Sequence, residues 1–403
     1  MKQSVTILII LFILCISLPG CGGQKEINRL AIVMAAAIDP TGETNNIDFT
    51  IQIANPASVA GGDSGGDKDA FSIVTGSGPT LGEAERDLYT RLPRLVYWNN
   101  MQVIIISAKL AQNKMDSIID YLDRPTVFRR NMHLVVTSGN AKDALAVKHL
   151  TEKMSGIAIA NIQKTAFKHS KTVYPSDIHD FLLDLSDDGV EPILARLEIQ
   201  PSPESKEDQK KTDNAGKQEL LILSGSAVFK NTKMVGWLNG AETRGALWVW
   251  GEMRQGVLTF KYPHSKSNVK LITVLNQRAE SKIAFKIKNG KPQMTVIIKA
   301  EGRLSGLNFK TNETITDPHM IEALDHEYAQ AVKAEVRTTL AKVQTEYVAD
   351  IFGFGDVISR RRPKLWKKLK PHWDVTFRKL HVNVEVEAHI RRIGLTMGPT
   401  NSL

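Results

Sequence analysis

Apolar and polar positions change period several times along the chain, and those changes divide it. From Val5 to Leu18 the residues are almost all apolar behind one early cation, Lys2. The run is too short to cross a bilayer and stay there, so it reads as a secretory leader. Asn28 to Ile38 is a second apolar run, rich in small residues, that ends in the turn signal Asp39-Pro40-Thr41-Gly42. Ile47 to Ala54 then alternates, and the pair predicts a hairpin. Asn55 to Asp69, rich in Gly, Ser and Asp, predicts a loop.

Beyond this loop strands and helices take turns. Phe71 to Thr75, Met101 to Ser107 and Met132 to Thr137 read as strands. Leu81 to Leu92 reads as a helix capped by Thr80 with Glu83 three residues on, and Lys109 to Leu122 and Ala141 to Val147 as further helices. Thr151 to Asp184 is mostly helical with a break near Tyr174-Pro175, and Val190 to Gln200 returns to strand character. Such alternation predicts an α/β layer of βαβ units.

Pro201 to Lys217 is polar, charged and without large apolar residues, which predicts a linker. After it come the expected strands Leu220 to Phe229, Met234 to Leu238 and Ala246 to Trp250, and a hairpin of Lys282 to Lys288 with Gln293 to Ala300 about Asn289-Gly290. A stripe from Ile321 through Leu324, Tyr328, Val332, Val336 and Leu340 to Ile351 steps by three or four and predicts one long helix. Asp317 is expected to cap it, Pro318 to fit its first turn, and Gly353 and Gly355 to end it. His381 to Ile390 alternates as a last strand.

The fold class expected is therefore α+β and multidomain: an N-terminal region of alternating strands and helices, then a C-terminal antiparallel sheet packed by a long helix. The divisions are a leader at 1–20, a mixed α/β region at 21–200 that could itself split in two, a linker at 201–219, and an α+β domain at 220–396.

Chemistry enters first at the leader's end. Leu18-Pro19-Gly20-Cys21 places a small residue before a cysteine, as bacterial lipoprotein processing requires, so Cys21 is the expected site of lipidation and the mature amino terminus. Cys15 lies inside the apolar run behind Leu14 and is expected to leave with the leader. Since the chain has 2 cysteines in 403 residues, no disulfide framework is available and packed cores must hold the fold. The net charge of +9 raises a nucleic-acid reading, but an exported chain meets anionic lipid, wall polymer or acidic protein instead.

Catalytic motifs do not assemble. Gly62-Asp63-Ser64-Gly65-Gly66 copies a serine-protease nucleophile loop, yet no histidine precedes it. Gly76-Ser77-Gly78 with Gly82 only approximates a dinucleotide loop, its spacing is off by one, and Pro79 removes an amide that would face phosphate. The histidines at 319, 326, 372, 381 and 389 lack metal-site spacing, so no cofactor or metal is expected. One charge feature stands out: Arg360, Arg361, Arg362, Lys364, Lys367, Lys368 and Lys370, interleaved with Leu365, Trp366, Leu369 and Trp373 at helical spacing. Two readings are open. Arg361, Arg362, Lys364, Trp366, Lys367, Lys368 and Trp373 could touch head groups or an acidic partner with the tryptophans as anchors, or the cations could form a solvated face whose tryptophans pack on the domain below.

Several strings occur together and in order: Glu26-Ile-Asn28, Leu30-Ala-Ile-Val33, Ile38-Asp39, Gly82-Glu-Ala84 with Arg86-Asp87, Tyr97-Trp98, Gly225-Ser-Ala-Val-Phe-Lys230, Lys233-Met-Val-Gly236, Asp350-Ile-Phe-Gly-Phe-Gly355, Pro363-Lys-Leu-Trp366 and Trp373-Asp374. In these the chain resembles the Ger(x)C lipoproteins, the C subunits of bacterial spore germinant receptors. It departs at Gly22-Gly23, where the family commonly has Trp-Asp, and at Asn100, where a histidine is common. The resemblance implies a three-domain mixed α/β protein without known enzymatic activity. It implies partnership with two integral-membrane subunits of A and B type at the inner spore membrane, and a scaffold or transducer role in the response to nutrients. Read without the resemblance, the α/β first half also fits an extracytoplasmic small-molecule-binding lipoprotein.

Overall fold

The computed structural model describes residues 3, 29–42, 45–55, 70–124, 128–149, 151–202, 219–261, 271–307 and 318–392. The leader apart from residue 3, Cys21, the Gly62–Gly66 string and the expected cap Asp317 lie outside the described residues.

The first half opens with an antiparallel meander of β1 (Leu30–Pro40), β2 (Ile47–Ala54) and β3 (Phe71–Gly78). It continues through α1 (Leu81–Arg91), β4 (Leu95–Tyr97), β5 (Val103–Ser107), α2 (Ala108–Asn113), α3 (Met115–Asp123) and β6 (His133–Thr137). Then follow α4 (Ala141–Ala146), α5 (Ser155–Thr165) with a wide turn at Ala166–Ser170, α6 (Ile178–Ser186) and β7 (Ile193–Pro201). β1, β5, β6 and β7 run parallel. One face carries Val33, Ile104 and Val136 under α1, α2, α3 and α6, while the other carries Ala35, Ile105 and Val135 under α4 and α5. With both faces covered, β5 reads Val-Ile-Ile-Ile-Ser with no polar alternation.

Local chemistry sets the joints. Thr80 caps α1 by accepting from the Glu83 amide, as expected. Gly76 and Gly78 serve that helix rather than a phosphate: a Cβ on Gly76 would stand 2.2 Å from the Ala84 carbonyl oxygen, so their bareness seats α1 on the strand. Asp39 is a strand residue, not a turn residue. Its buried carboxylate accepts from the amides of Ala141 and Lys142 at 2.7 and 2.8 Å and so caps α4. The expected helix at 109–122 breaks at Lys114 into α2 and α3.

β8 (Glu219–Lys230) pairs antiparallel with β7, from Pro201 against Glu219 to Ile193 against Val228, and β9 (Lys233–Leu238) pairs with β8. These strands were expected to open the C-terminal sheet; they complete the first one, whose order is β3-β2-β1-β5-β6-β7-β8-β9 with β4 beside β1. The polar segment between them joins two neighbours of one sheet.

The expected strand at Ala246–Trp250 is the end of a helix, α7 (Gly240–Trp250). Asn239 accepts from the Glu242 amide and Glu242 answers from its side chain, a capping box that starts the helix upstream of the apolar run. The second sheet is β10 (Val257–Lys261), β11 (Leu271–Lys288), β12 (Lys291–Leu307) and β13 (His381–Arg392), in that order. The turn at Asn289-Gly290 is as expected, both residues at positive φ, but its strands are more than twice as long as the pattern showed and β13 joins β12 in parallel.

α8 (Pro318–Lys342) lays Leu324, Tyr328, Val332 and Val336 on this sheet. It widens at Val343–Tyr347 and ends at Val348, whose φ is 51°, before Gly353 is reached. α9 (Phe354–Arg361), α10 (Pro363–Leu369) and α11 (Trp373–Arg378) lead back to β13. Their core is shared with Ile193, Val228 and Leu238 at one end of the first sheet. Helices α7 and α8 are tied by Arg244 on Glu335, with the Trp248 indole N–H donating to the same carboxylate at 3.0 Å.

Candidate functional site

The strings that stood apart in sequence meet where α9, α10 and α11 pack on the first sheet. Asp350 is at the centre, buried in the turn between α8 and α9. Its Oδ1 accepts from the Phe354 amide at 3.1 Å, and its Oδ2 from the Gly355 amide at 2.8 Å and from Trp373 Nε1 at 3.2 Å. Burial pushes its carboxyl up to about 7 against those three donors. The carboxylate thus fixes the first turn of α9 and one ring of α11 together.

Glycines let the parts close. Gly189 has φ +89°, and a Cβ on Gly355 would stand 2.7 Å from Gly189 Cα and 2.7 Å from Trp366 Cη2. Backbone meets backbone here with an indole edge laid over it. Gly236 is bare for a similar reason. The Tyr347 ring occupies its Cβ position, and the phenol accepts from the Trp237 amide at 3.1 Å and donates to the Trp237 carbonyl at 2.8 Å.

Charged groups close the rim. The Glu191 amide donates to the Asp350 carbonyl at 3.0 Å, and its carboxylate accepts from the Asn231 amide at the β8–β9 turn. Burial pushes this carboxyl also up to about 7. Lys230 pairs with Asp374 at 2.5 Å, and Lys370 with Asp188 at 2.5 Å. Lys370 is the chief reason that Asp188 is held below the ordinary carboxylate range. Arg360 pairs with Asp356 at 2.7 Å and reaches Asp187 at 3.7 Å.

The basic segment therefore divides. Trp366 and Trp373 are only 4% and 8% exposed, their rings 5.1 Å apart in an edge contact above Phe377 and Phe354. They are not surface anchors: the helices are short, and the two indoles are the apolar mass that seats them on the core. Arg361, Arg362, Lys364, Lys367 and Lys368 are exposed, and among the described residues the last four have no ion-pair partner. Arg361 donates to the Ile283 carbonyl on β11.

As chemistry this is a joint that ties two regions of the chain together. The two buried acids are tied to N–H donors, and among the described residues no three His, Cys, Asp or Glu side chains converge as metal ligands. No described helix is long and apolar enough to cross a membrane. What the joint does is hold five cations on a rigid support. Asp350 stands in one of the strings that carry the resemblance, but its buried, helix-fixing role is not legible there, and nothing in the sequence marks Glu191.

A family model described as "Spore germination protein N-terminal domain" matches residues 23–199, and one described as "Spore germination B3/ GerAC like, C-terminal" matches 224–394. Spore germination protein KC of Bacillus subtilis (strain 168) is 28% identical over 408 residues, covering 99% of this chain and 98% of its own. Spore germination protein B3 of the same organism is 25% identical, covering 96% of this chain and 97% of its own. Among solved structures, that of the GerBC protein superposes with a TM-score of 0.52 at 20% identity, covering 88% of this chain and 96% of that one, and so shares the fold.

Proposed function

The chain belongs to the Ger(x)C family of spore germination proteins, and from that premise we propose that it acts in germination as the lipid-anchored, non-catalytic C-type subunit of a nutrient germinant receptor. The observation that carries this reading is the pair of family matches, which together run through nearly the whole mature chain. The joint around Asp350 supports it, because the residues most distinctive in sequence are spent on holding two regions together and presenting a basic face, which is what an assembly subunit needs.

In this reading the leader is removed before Cys21, and that thiol carries a diacylglycerol with the amino terminus palmitoylated. Two or more long chains at about 0.8 kcal/mol per buried methylene supply on the order of 20 kcal/mol, well beyond the single-chain limit for reversible attachment. The body then stands on the extracytoplasmic face of the inner spore membrane beside A- and B-type integral-membrane subunits, as scaffold or transducer, with no nucleic acid involved.

The test is Cys21→Ala. Fractionated spores should show the variant lost from the inner membrane, and germination in response to the cognate nutrient should be slowed severely. Full nutrient germination with the variant found only in the soluble fraction would end this reading.

A further inference from the structure

The geometry points to one end of the first sheet as a face that lies against anionic phospholipid head groups, bringing the basic joint and the lipid tether to the same plane. The inference rests on the acylated Cys21 of the reading above. β1, β5, β6 and β7 are parallel, and their registers place Ala35, Val103 and His133 level, with Val135 opposite Ala195 on β7. All four strands therefore start at one end. β1 begins at Leu30, five residues before that level, so at about 3.3 Å per residue it projects about 16 Å further out.

The loop before β7 and the turn between β8 and β9 lie at this same end, since Ile193 pairs with Val228. To them the basic helices are pinned by Lys370 on Asp188 and Lys230 on Asp374. Three strand spacings separate β1 from β7, about 14 Å. The start of the tethered strand and the cations of α10 are thus neighbours across one end of the molecule.

Both sides of this end have the composition of an interfacial surface. Beside β1, Leu95 pairs with Leu30 yet is 57% exposed, Tyr89 is 48% exposed, and both line an open groove together with Arg94 and Arg29. Beside β7, Lys364, Lys367 and Lys368 are exposed on α10, and Val375 on the following α11 is 60% exposed. Cations with isolated apolar and aromatic side chains among them are what a head-group layer accepts.

The reach of the tether fits. Eight steps separate Cys21 from Arg29, at most about 29 Å of chain. A bilayer's surface charge is felt over about 8 Å at physiological ionic strength. Only the end from which β1 emerges can be brought that close without first turning the body over. The opposite end, where β6 leaves toward Gly139, points away.

The experiment uses the mature acylated chain in vesicles. Cys15 leaves with the leader and Cys21 is acylated, so Val375→Cys or Gly139→Cys supplies the one free thiol for a fluorophore. Flotation first measures anchoring by itself; a wild-type chain that fails to float refutes the anchor, not the orientation. In floating samples with phosphatidylglycerol and nitroxide-labelled head groups, the label at 375 should be quenched several-fold more than that at 139. The excess should vanish in high salt and in a Lys364→Glu, Lys367→Glu, Lys368→Glu variant whose melting temperature is unchanged. Equal quenching at both positions, or an excess that persists in pure phosphatidylcholine, overturns the proposal. So does a photoreactive crosslinker on the same thiol at 375 that captures only protein in spore membranes, which would assign the cations to an acidic partner.

Discussion

The two sheets of this molecule solve burial differently, and the difference is written in their strands. β5 is Val-Ile-Ile-Ile-Ser, five buried residues in a row, because helices cover both faces of the first sheet. β13 is His-Val-Asn-Val-Glu-Val-Glu-Ala-His-Ile, with Val384, Ala388 and Ile390 buried toward α8 and Asn383, Glu385 and Glu387 outside. On that outer face β12 and β13 exchange ion pairs, Lys299 with Glu387 at 3.0 Å and Glu301 with Arg391 at 3.1 Å. Strands covered twice have no face to offer; strands covered once keep a charged ladder in water. The middle strands β5 and β6 are therefore closed to any partner, while the outer face of β13 is open to one.

The largest test sets the two sheets against each other. Ile105→Ala removes a side chain with no solvent exposure from the covered sheet and should cost about 3 kcal/mol in urea denaturation, through lost burial and the cavity left behind. Glu385→Ala on β13 should stay within about 0.5 kcal/mol. Similar costs at the two sites would mean that the outer face of β13 is covered in the working protein.

The joint between the regions comes next. Gly355→Ala drives a methyl group into Gly189 and Trp366, an overpacking worth about 2 kcal/mol. Its signature is local, since Trp366 and Trp373 are coupled ring to ring. Near-ultraviolet circular dichroism should lose tryptophan signal while far-ultraviolet signal is kept. An unchanged spectrum with unchanged stability would show that the glycine contact does not set how the regions meet.

How much of this was legible beforehand depends on the range of the forces involved. The period-two and period-three patterns gave β1, β2, α1, β6, α8 and β13, because each of those elements has a one-sided or continuous apolar face that its own sequence records. Leu247-Trp248-Val249-Trp250 was misread as strand because a helix buried on most sides has no polar stripe; the capping box at Asn239 and Glu242 was the better signal. Membership of β8 and β9 in the first sheet could not be read, since pairing with β7 is a long-range event across a segment that records nothing. The site was legible only as scattered strings. That Asp350, Glu191 and the two tryptophans would gather was invisible, and the tryptophans' helical spacing fitted an anchor and a core contact equally well. Burial decided between them.

The smallest effect sharpens the same contrast at the rim of the covered sheet. Asp184 lies on α6, whose Phe181 is buried against Phe229 of β8, but the carboxylate looks toward Asp180 and Asp187. Burial, then those two like charges, push it from 3.8 up to about 7. An acid raised in this way binds its proton more tightly in the folded chain than in the unfolded one. Its contribution to stability is intact below pH 3.8 and is lost as pH climbs through about 7. Sealed from water, that rise would be worth about 4 kcal/mol. Solvent reaches part of this side chain, so about 1 to 2 kcal/mol is expected. Asp184→Asn should therefore match the wild type near pH 4 and exceed it near pH 8, with the gap opening between. A gap that is constant with pH would mean the carboxylate is fully solvated and that α6 covers the sheet with its apolar face alone.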